Sequence, residues 1–143
     1  MVKTVFLGAI CETDVSNQNQ DKSYKFVNNE IRAFLVSLID PFIVTYKNSW
    51  QFCISYMPRT KEHSETIKSL ATRIQTYLSI LYSESIVYGE CLNLDVIKNS
   101  IHSLDRLGLV TIIKGSVYCD NPNLLSDVIR DMALIIYPLI SKL

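Results

Sequence analysis

Between Asn93 and Cys119 the chain changes from a helical to a strand period within a few residues. Ile97, Ile101, Leu104 and Leu107 recur at intervals of three and four, which places them on one face of a helix. Lys98, Asn99, His102, Asp105 and Arg106 fall on the other side. Asn93 is suited to an N-cap, Asp95 sets a negative charge in the first turn, and Gly108 stands where a helix ends in a residue tolerant of positive φ. Leu109 to Ile113 is then apolar and β-branched, Lys114-Gly115 offers a two-residue turn, and Ser116 to Cys119 supplies a returning strand. The stretch predicts an amphipathic helix feeding a β-hairpin, the pairing found in winged-helix domains.

The same periodicity places the other elements. From Phe26 onward, Val27, Ile31, Phe34, Leu35, Leu38, Ile39, Phe42, Ile43, Tyr46, Trp50, Cys53 and Ile54 form an apolar stripe of about seven turns. Pro41 interrupts it, so the spacing is consistent with two helices meeting at a kink or with one bent helix, in either case a major core element. Thr60 is placed to cap a further helix carrying Ile67, Leu70, Ala71, Ile74, Leu78 and Leu81 on one face. Ser83 to Leu92 is open between a helical extension, a short strand and a loop, with Gly89 favouring an interruption. Asn121-Pro122 starts a last helix with Leu124, Leu125, Val128, Ile129, Met132 and Ile136 inward, and Pro138 is expected to end it. Met1 to Ile10 suits a strand or loose edge, and Glu12 to Ser23 is polar without apolar period. The resulting expectation is a mainly α fold of about four to five helices with one small β-hairpin, residues 1–23 being a lead-in or linker and residues 24–143 the helical domain.

Composition narrows the function classes. With 143 residues and 48% hydrophobic content the chain can bury a sizeable core. Fourteen basic and fourteen acidic side chains cancel, which removes the electrostatic footprint of non-specific nucleic-acid binding and argues against a nucleic-acid partner. Cys11, Cys53, Cys91 and Cys119 are too scattered for a zinc knuckle or a redox pair and read as reduced and mostly buried. His63 and His102 belong to no metal-binding or catalytic spacing and read as polar-face or capping residues. No apolar run reaches the length of a membrane span, and no secretory pattern opens the chain. The final residues, Ser141, Lys142 and Leu143, match the peroxisomal import tripeptide, a signal that requires an accessible C-terminus.

Two segments together carry a resemblance. Phe34 to Trp50, FLVSLIDPFIVTYKNSW, resembles the helix with a central proline and a following tyrosine that comes after the catalytic domain in glycerol-3-phosphate and dihydroxyacetone-phosphate acyltransferases. Leu94 to Val110, LDVIKNSIHSLDRLGLV, resembles a later helix of that family, with its lysine-asparagine pair and Leu-Gly-Leu/Val-Val end. Order and spacing of the two agree with the family over about residues 27–121, and the terminal tripeptide leans toward the peroxisomal dihydroxyacetone-phosphate branch.

The resemblance implies acyl transfer from acyl-CoA to an sn-1 hydroxyl, with acyl-CoA as a co-substrate of the parent enzyme and no bound cofactor. The family's histidine–aspartate pair is absent, since Lys68 stands five positions after His63 and Leu107 five after His102. The Pro-Glu-Gly phosphate segment is missing too. No residue is therefore assigned a catalytic, substrate-binding or metal role, and the chain alone is expected to be inactive. The implied partners are a catalytic acyltransferase domain on the same or a separate chain, the peroxisomal import receptor and a peripheral membrane contact. The implied location is the peroxisome, with the mitochondrial or endoplasmic reticulum membrane as the alternative. The competing expectation is a stand-alone winged-helix-like module for protein interaction or regulation.

Overall fold

A computed structural model describes residues 10–13, 23–26 and 29–142 of the chain. Chain contacts divide it into two units, residues 1–39 with 143 and residues 40–142, and helix α1 (Asn29–Tyr56) runs through the division. In the first unit, β1 (Ile10–Thr13) pairs antiparallel with β2 (Ser23–Phe26), Ile10 opposite Phe26 and Thr13 opposite Ser23. The sequence predicts a lead-in or linker over residues 1–23 and the helical domain from residue 24, so β2 is extended where the helical domain was expected to open. Isoleucine, cysteine, threonine, tyrosine and phenylalanine nevertheless suit extended backbone, and pairing satisfies polar groups that a linker leaves to water.

Pro41 does not divide α1, which is one helix of 28 residues. The proline forfeits one hydrogen bond, the one its missing N–H would donate to the Ser37 carbonyl. Its own carbonyl accepts from Thr45 Oγ1 at 2.7 Å and from the Cys91 thiol at 3.4 Å, the second of which ties this part of α1 to Cys91. The apolar stripe of α1 is buried only in its second half. Thr45, Ser49, Trp50 and Cys53 are buried, whereas Phe34, Leu38, Ile39 and Phe42 are at least half exposed. The expectation of a continuously buried stripe is corrected accordingly, because periodicity marks a face and not what covers it.

Within residues 40–142 the helix expected from Thr60 begins later. A single 3-10 turn spans Lys61–His63, and the chain then extends as β3 (Glu65–Thr66) before α2 (Ile67–Ser83). Thr66 is the cap, its hydroxyl accepting from the Ser69 N–H at 3.1 Å. β3 was not legible as a strand because two residues carry no period; what makes it one is pairing with β5 (Ser116–Tyr118), Glu65 opposite Val117. β5 also pairs with β4 (Thr111–Ile113), so the three-stranded antiparallel sheet has the order β3-β5-β4. Lys114 and Gly115 turn the hairpin with φ of 51° and 80°, the backbone of a type I′ turn.

Both ends of α3 (Leu94–Arg106) are built as the sequence predicts. The Asn93 carboxamide accepts from the N–H groups of Asp95 and Val96. At the other end Gly108, at φ 70°, donates to the Asp105 carbonyl, and Leu109 donates to Leu104. That pair of bonds is a Schellman cap, with Leu104 and Leu109 both buried. Leu107, expected on the inner face, sits at the C-cap and is 49% exposed, because the helix ends one residue before it. α2 ends in the same cap, with Ser85 N–H bonding to Tyr82 and Ile86 N–H to Leu81. Here the left-handed position belongs to Ser85 at φ 59°, and a 3-10 turn at Gly89–Leu92 follows.

The core of this unit joins α1, α2, α3 and the sheet. Leu70, Ile74 and Leu78 of α2 and Ile97, Ile101 and Leu104 of α3 are fully buried, each stabilising by about 1.5–3 kcal/mol relative to exposure. Val117 and Cys119 close it from the sheet side, and Leu125 and Ile129 from α4 (Pro122–Lys142). Asn121 caps α4 by accepting from the Leu124 N–H at 3.0 Å, as expected, although Leu124 itself is 45% exposed. Pro138 does not end α4, which continues to Lys142 without the bond that residue 138 would donate to the Leu134 carbonyl. The expected position of Ile136 lies outside the described side chains. The fold is mainly α with a small sheet, winged-helix-like in the sequence helix, strand, helix, helix, hairpin.

Ser85 gives a test of this architecture. An L-residue in the left-handed region costs about 1–2 kcal/mol, so Ser85→Gly is expected to raise the stability to urea unfolding by about 1 kcal/mol. An unchanged or lowered midpoint contradicts the cap.

Candidate functional site

The candidate site is an apolar groove between α1 and α4. Trp50 is fixed first, because its indole N–H donates to the Ser100 carbonyl at 2.9 Å and approaches Ser103 Oγ at 3.2 Å, pinning the ring between α1 and α3. Tyr46 stands edge-on to it at 5.7 Å between ring centroids. Toward the start of α1, Lys47, Ile43 and Phe42 continue the same wall, and Ile129 and Ala133 of α4 also line the groove. The groove has a volume of about 350 Å³ and its surface is almost wholly carbon, Lys47 being the one cationic side chain among the described residues that line it. Burial grades along it: Trp50 is 8% exposed and Phe42 54%.

The sequence reading assigned Phe42, Ile43, Tyr46, Trp50 and Ile129 to the core and singled out neither Lys47 nor Ala133. A hint was present, since α1 and α4 both carry apolar residues over more than one face. That width is what two helices need to leave a lined channel between them.

The polar candidates do not converge on this groove. His63 is exposed in its 3-10 turn, its Nδ1 2.9 Å from Thr60 Oγ1, a side-chain contact that caps no backbone group and leaves it the solvated residue that the sequence allows. His102 is exposed on α3. No group of three histidine, cysteine or acidic side chains suited to a metal ion occurs among the described residues. Of the three residues that match the import tripeptide, Ser141 and Lys142 lie in the last turn of α4 with their side chains outside the description, and Leu143 lies outside the described residues. No helix among the described residues is long and apolar enough to cross a membrane.

The cysteines are buried away from chemistry. Cys53, Cys91 and Cys119 are free and buried, as expected, and the side chain of Cys11 lies outside the description. A cysteine nucleophile needs a lowered pKa. Burial, with a smaller contribution from Cys119, instead pushes the Cys53 thiol up from 9.0 to about 12. Burial pushes Cys119 up as well.

Ser49 is a further buried polar residue, and its hydroxyl has no hydrogen-bond partner. An unpartnered buried hydroxyl is destabilising.

Searches of protein-family models, of curated proteins and of solved structures return no match to this chain. What the chain can do therefore rests on its own residues and geometry.

The Cys53 thiol makes a pH prediction with a definite sign. The unfolded chain releases this proton near pH 9, whereas the folded chain holds it to about 12. Its contribution is complete below pH 9 and is lost as pH rises toward 12. Unfolding free energy is expected to fall through that window by up to about 1.4 kcal/mol per pH unit, and Cys53→Ala is expected to flatten the fall. Identical alkaline limbs in the two proteins refute the assignment.

Proposed function

We propose that the chain is a non-catalytic helical module of an sn-1 acyltransferase, of the family that acylates dihydroxyacetone phosphate or glycerol 3-phosphate from acyl-CoA. The observation that carries the reading is where the two family-like segments meet. Phe34 to Trp50 and Leu94 to Val110 are separated by more than forty residues, yet Trp50 at the end of the first donates to Ser100 and approaches Ser103 in the second. Segments that resemble one family in both sequence and order thus form one hydrogen-bonded helix pair. In this reading the module packs beside a catalytic acyltransferase domain, and Ser141-Lys142-Leu143 supports peroxisomal import. An import receptor that reads an extended tripeptide requires the last turn of α4 to open, and terminal helix turns fray at little cost.

A second reading is a winged-helix-like module for protein interaction, favoured by the sheet order β3-β5-β4 with a helix pair ahead of the hairpin. Its exposed α3 face mixes Asp95, Lys98, Asp105 and Arg106, and the turn of the hairpin presents Lys114, a balance suited to protein and not to duplex DNA.

Three experiments test the readings. The purified chain is expected to give no turnover with palmitoyl-CoA and dihydroxyacetone phosphate, and to co-purify with a catalytic acyltransferase domain supplied in trans. Turnover abolished by His102→Ala overturns the non-catalytic part. Failure to co-purify favours the free-standing module. A fluorescent fusion with its C-terminus free is expected to colocalise with a peroxisomal marker and to become diffuse when Ser141 to Leu143 are deleted. An unchanged distribution removes the targeting claim.

A further inference from the structure

The apolar stripe of α1 is covered over only part of its length. Thr45, Ser49, Trp50 and Cys53 are core, whereas Phe34, Leu38, Ile39 and Phe42 are at least half exposed. Half or more of four large side chains amounts to roughly 400 Å² of carbon left in water, and apolar patches of that size mark contact surfaces. The groove begins where this exposed ridge ends, since Phe42 belongs to both and Ile43, Tyr46 and Trp50 continue along the same helix. One helix thus carries an apolar ridge followed by one wall of an apolar groove.

The ridge is itself complementary to the groove. At 3.6 residues per turn, Ile31, Leu35, Leu38, Ile39, Phe42 and Tyr46 fall within about 100° of one face. Two such helices laid antiparallel about a two-fold axis between Leu38 and Ile39 set Leu38 opposite Ile39, Leu35 opposite Phe42 and Ile31 opposite Tyr46, so every apolar position on the face meets another. The ridge of each copy then lies along the groove of the other, whereas a parallel pair matches ridge to ridge and leaves both grooves in water. We infer that the occupant of the groove is a second copy of this chain, the two α1 helices packing antiparallel through residues 31–46. From residue 31 to residue 46 the seam is roughly 22 Å long. With the partly buried Ile31, Leu35, Ile43 and Tyr46 added to the four exposed side chains, its area approaches the roughly 800 Å² per partner of a stable interface. No net charge opposes association, since the fourteen basic and fourteen acidic side chains cancel. The pairing asks nothing of the remainder of residues 1–39, because ridge and groove wall lie on one continuous helix. It holds equally for an acyltransferase module and for a free-standing one.

Sedimentation equilibrium of the full chain is expected to give twice the 16.3 kDa of one copy. Leu38→Glu sets two unpaired carboxylates beside the axis and is expected to weaken the dimer at least about tenfold. Because Leu38 is exposed within one copy, the far-ultraviolet circular dichroism is expected to stay unchanged. If that variant loses its helical signal, Phe34→Glu, at the more exposed end of the ridge, supplies the same test. The register is read by crosslinking in a Cys11→Ser background, where the remaining cysteines are buried. Leu35→Cys mixed with Phe42→Cys is expected to form an interchain disulfide when oxidised by glutathione disulfide, and neither variant alone is expected to do so.

A wild-type chain that stays monomeric up to its highest soluble concentration overturns the inference, as does a dimer indifferent to both Leu38→Glu and Phe34→Glu. Leu35→Cys crosslinking to itself overturns the antiparallel register in favour of a parallel pair that leaves the groove open. Loss of catalytic-domain binding in trans with the dimer intact rejects the acyltransferase proposal alone.

Discussion

The contact on which most of the second unit depends is the Trp50 indole donating to the Ser100 carbonyl. A carbonyl inside a helix already serves the helix, so a second donor must arrive from outside along a narrow range of directions. Ser103, one turn on, supplies a second acceptor, and its hydroxyl in turn donates to the same Ser100 carbonyl. Because Trp50 is large and nearly buried, satisfying its one polar atom sets how α1 lies against α3. The remaining core follows, with Cys53 of α1 and Met57 just beyond its end joining the residues of α2 and the sheet.

Short backbone links then tie the sheet to that helical frame. The Cys119 N–H donates to the Pro58 carbonyl at 2.7 Å, the Ile67 N–H to Gly115 at 2.9 Å, and the Ile112 N–H reaches the Asp105 carboxylate at 3.3 Å. Each link joins a strand or its flank to a different helix end, so the hairpin is held at three points. Gln75 adds a fourth tie by donating to Leu92, which sets the start of α3 relative to α2. The Tyr88 hydroxyl donates to Asp40 at 2.8 Å, and this bond to a carboxylate raises the tyrosine pKa. The 3-10 segment ahead of α3 is thereby tied to the middle of α1.

Elements whose determinants are local could be read directly. Asn93 caps because its carboxamide reaches two N–H groups a few residues away, and Gly108 and Gly115 take positive φ because no side chain forbids it. Ser85 escaped notice for the complementary reason: serine carries no left-handed signature, and the cap that places it there is completed by Leu81 and Tyr82 in the preceding turn. The groove was legible only in part. Phe42, Tyr46 and Trp50 announced an apolar face, but a stripe reads the same whether a neighbouring helix covers it or stands off from it by the width of a side chain. Lys47 and Ala133 gave no signal at all, since a surface lysine and a helical alanine are ordinary until a cavity lies between them.

The sequence by itself determined the mainly α class, the caps of α3 and α4, the type I′ hairpin and the buried faces of α2 and α3, because each depends on residues within about one or two turns of each other. Tertiary structure decided the rest. It made a strand of Glu65–Thr66, which only the partner β5 can define, and it left Phe34, Leu38, Ile39 and Phe42 exposed on a stripe whose second half is core. It also carried α1 and α4 through Pro41 and Pro138, although each proline removes a backbone hydrogen bond from its helix. The groove belongs to this second group: its walls come from residues some ninety positions apart, and no local pattern records the distance between two helices.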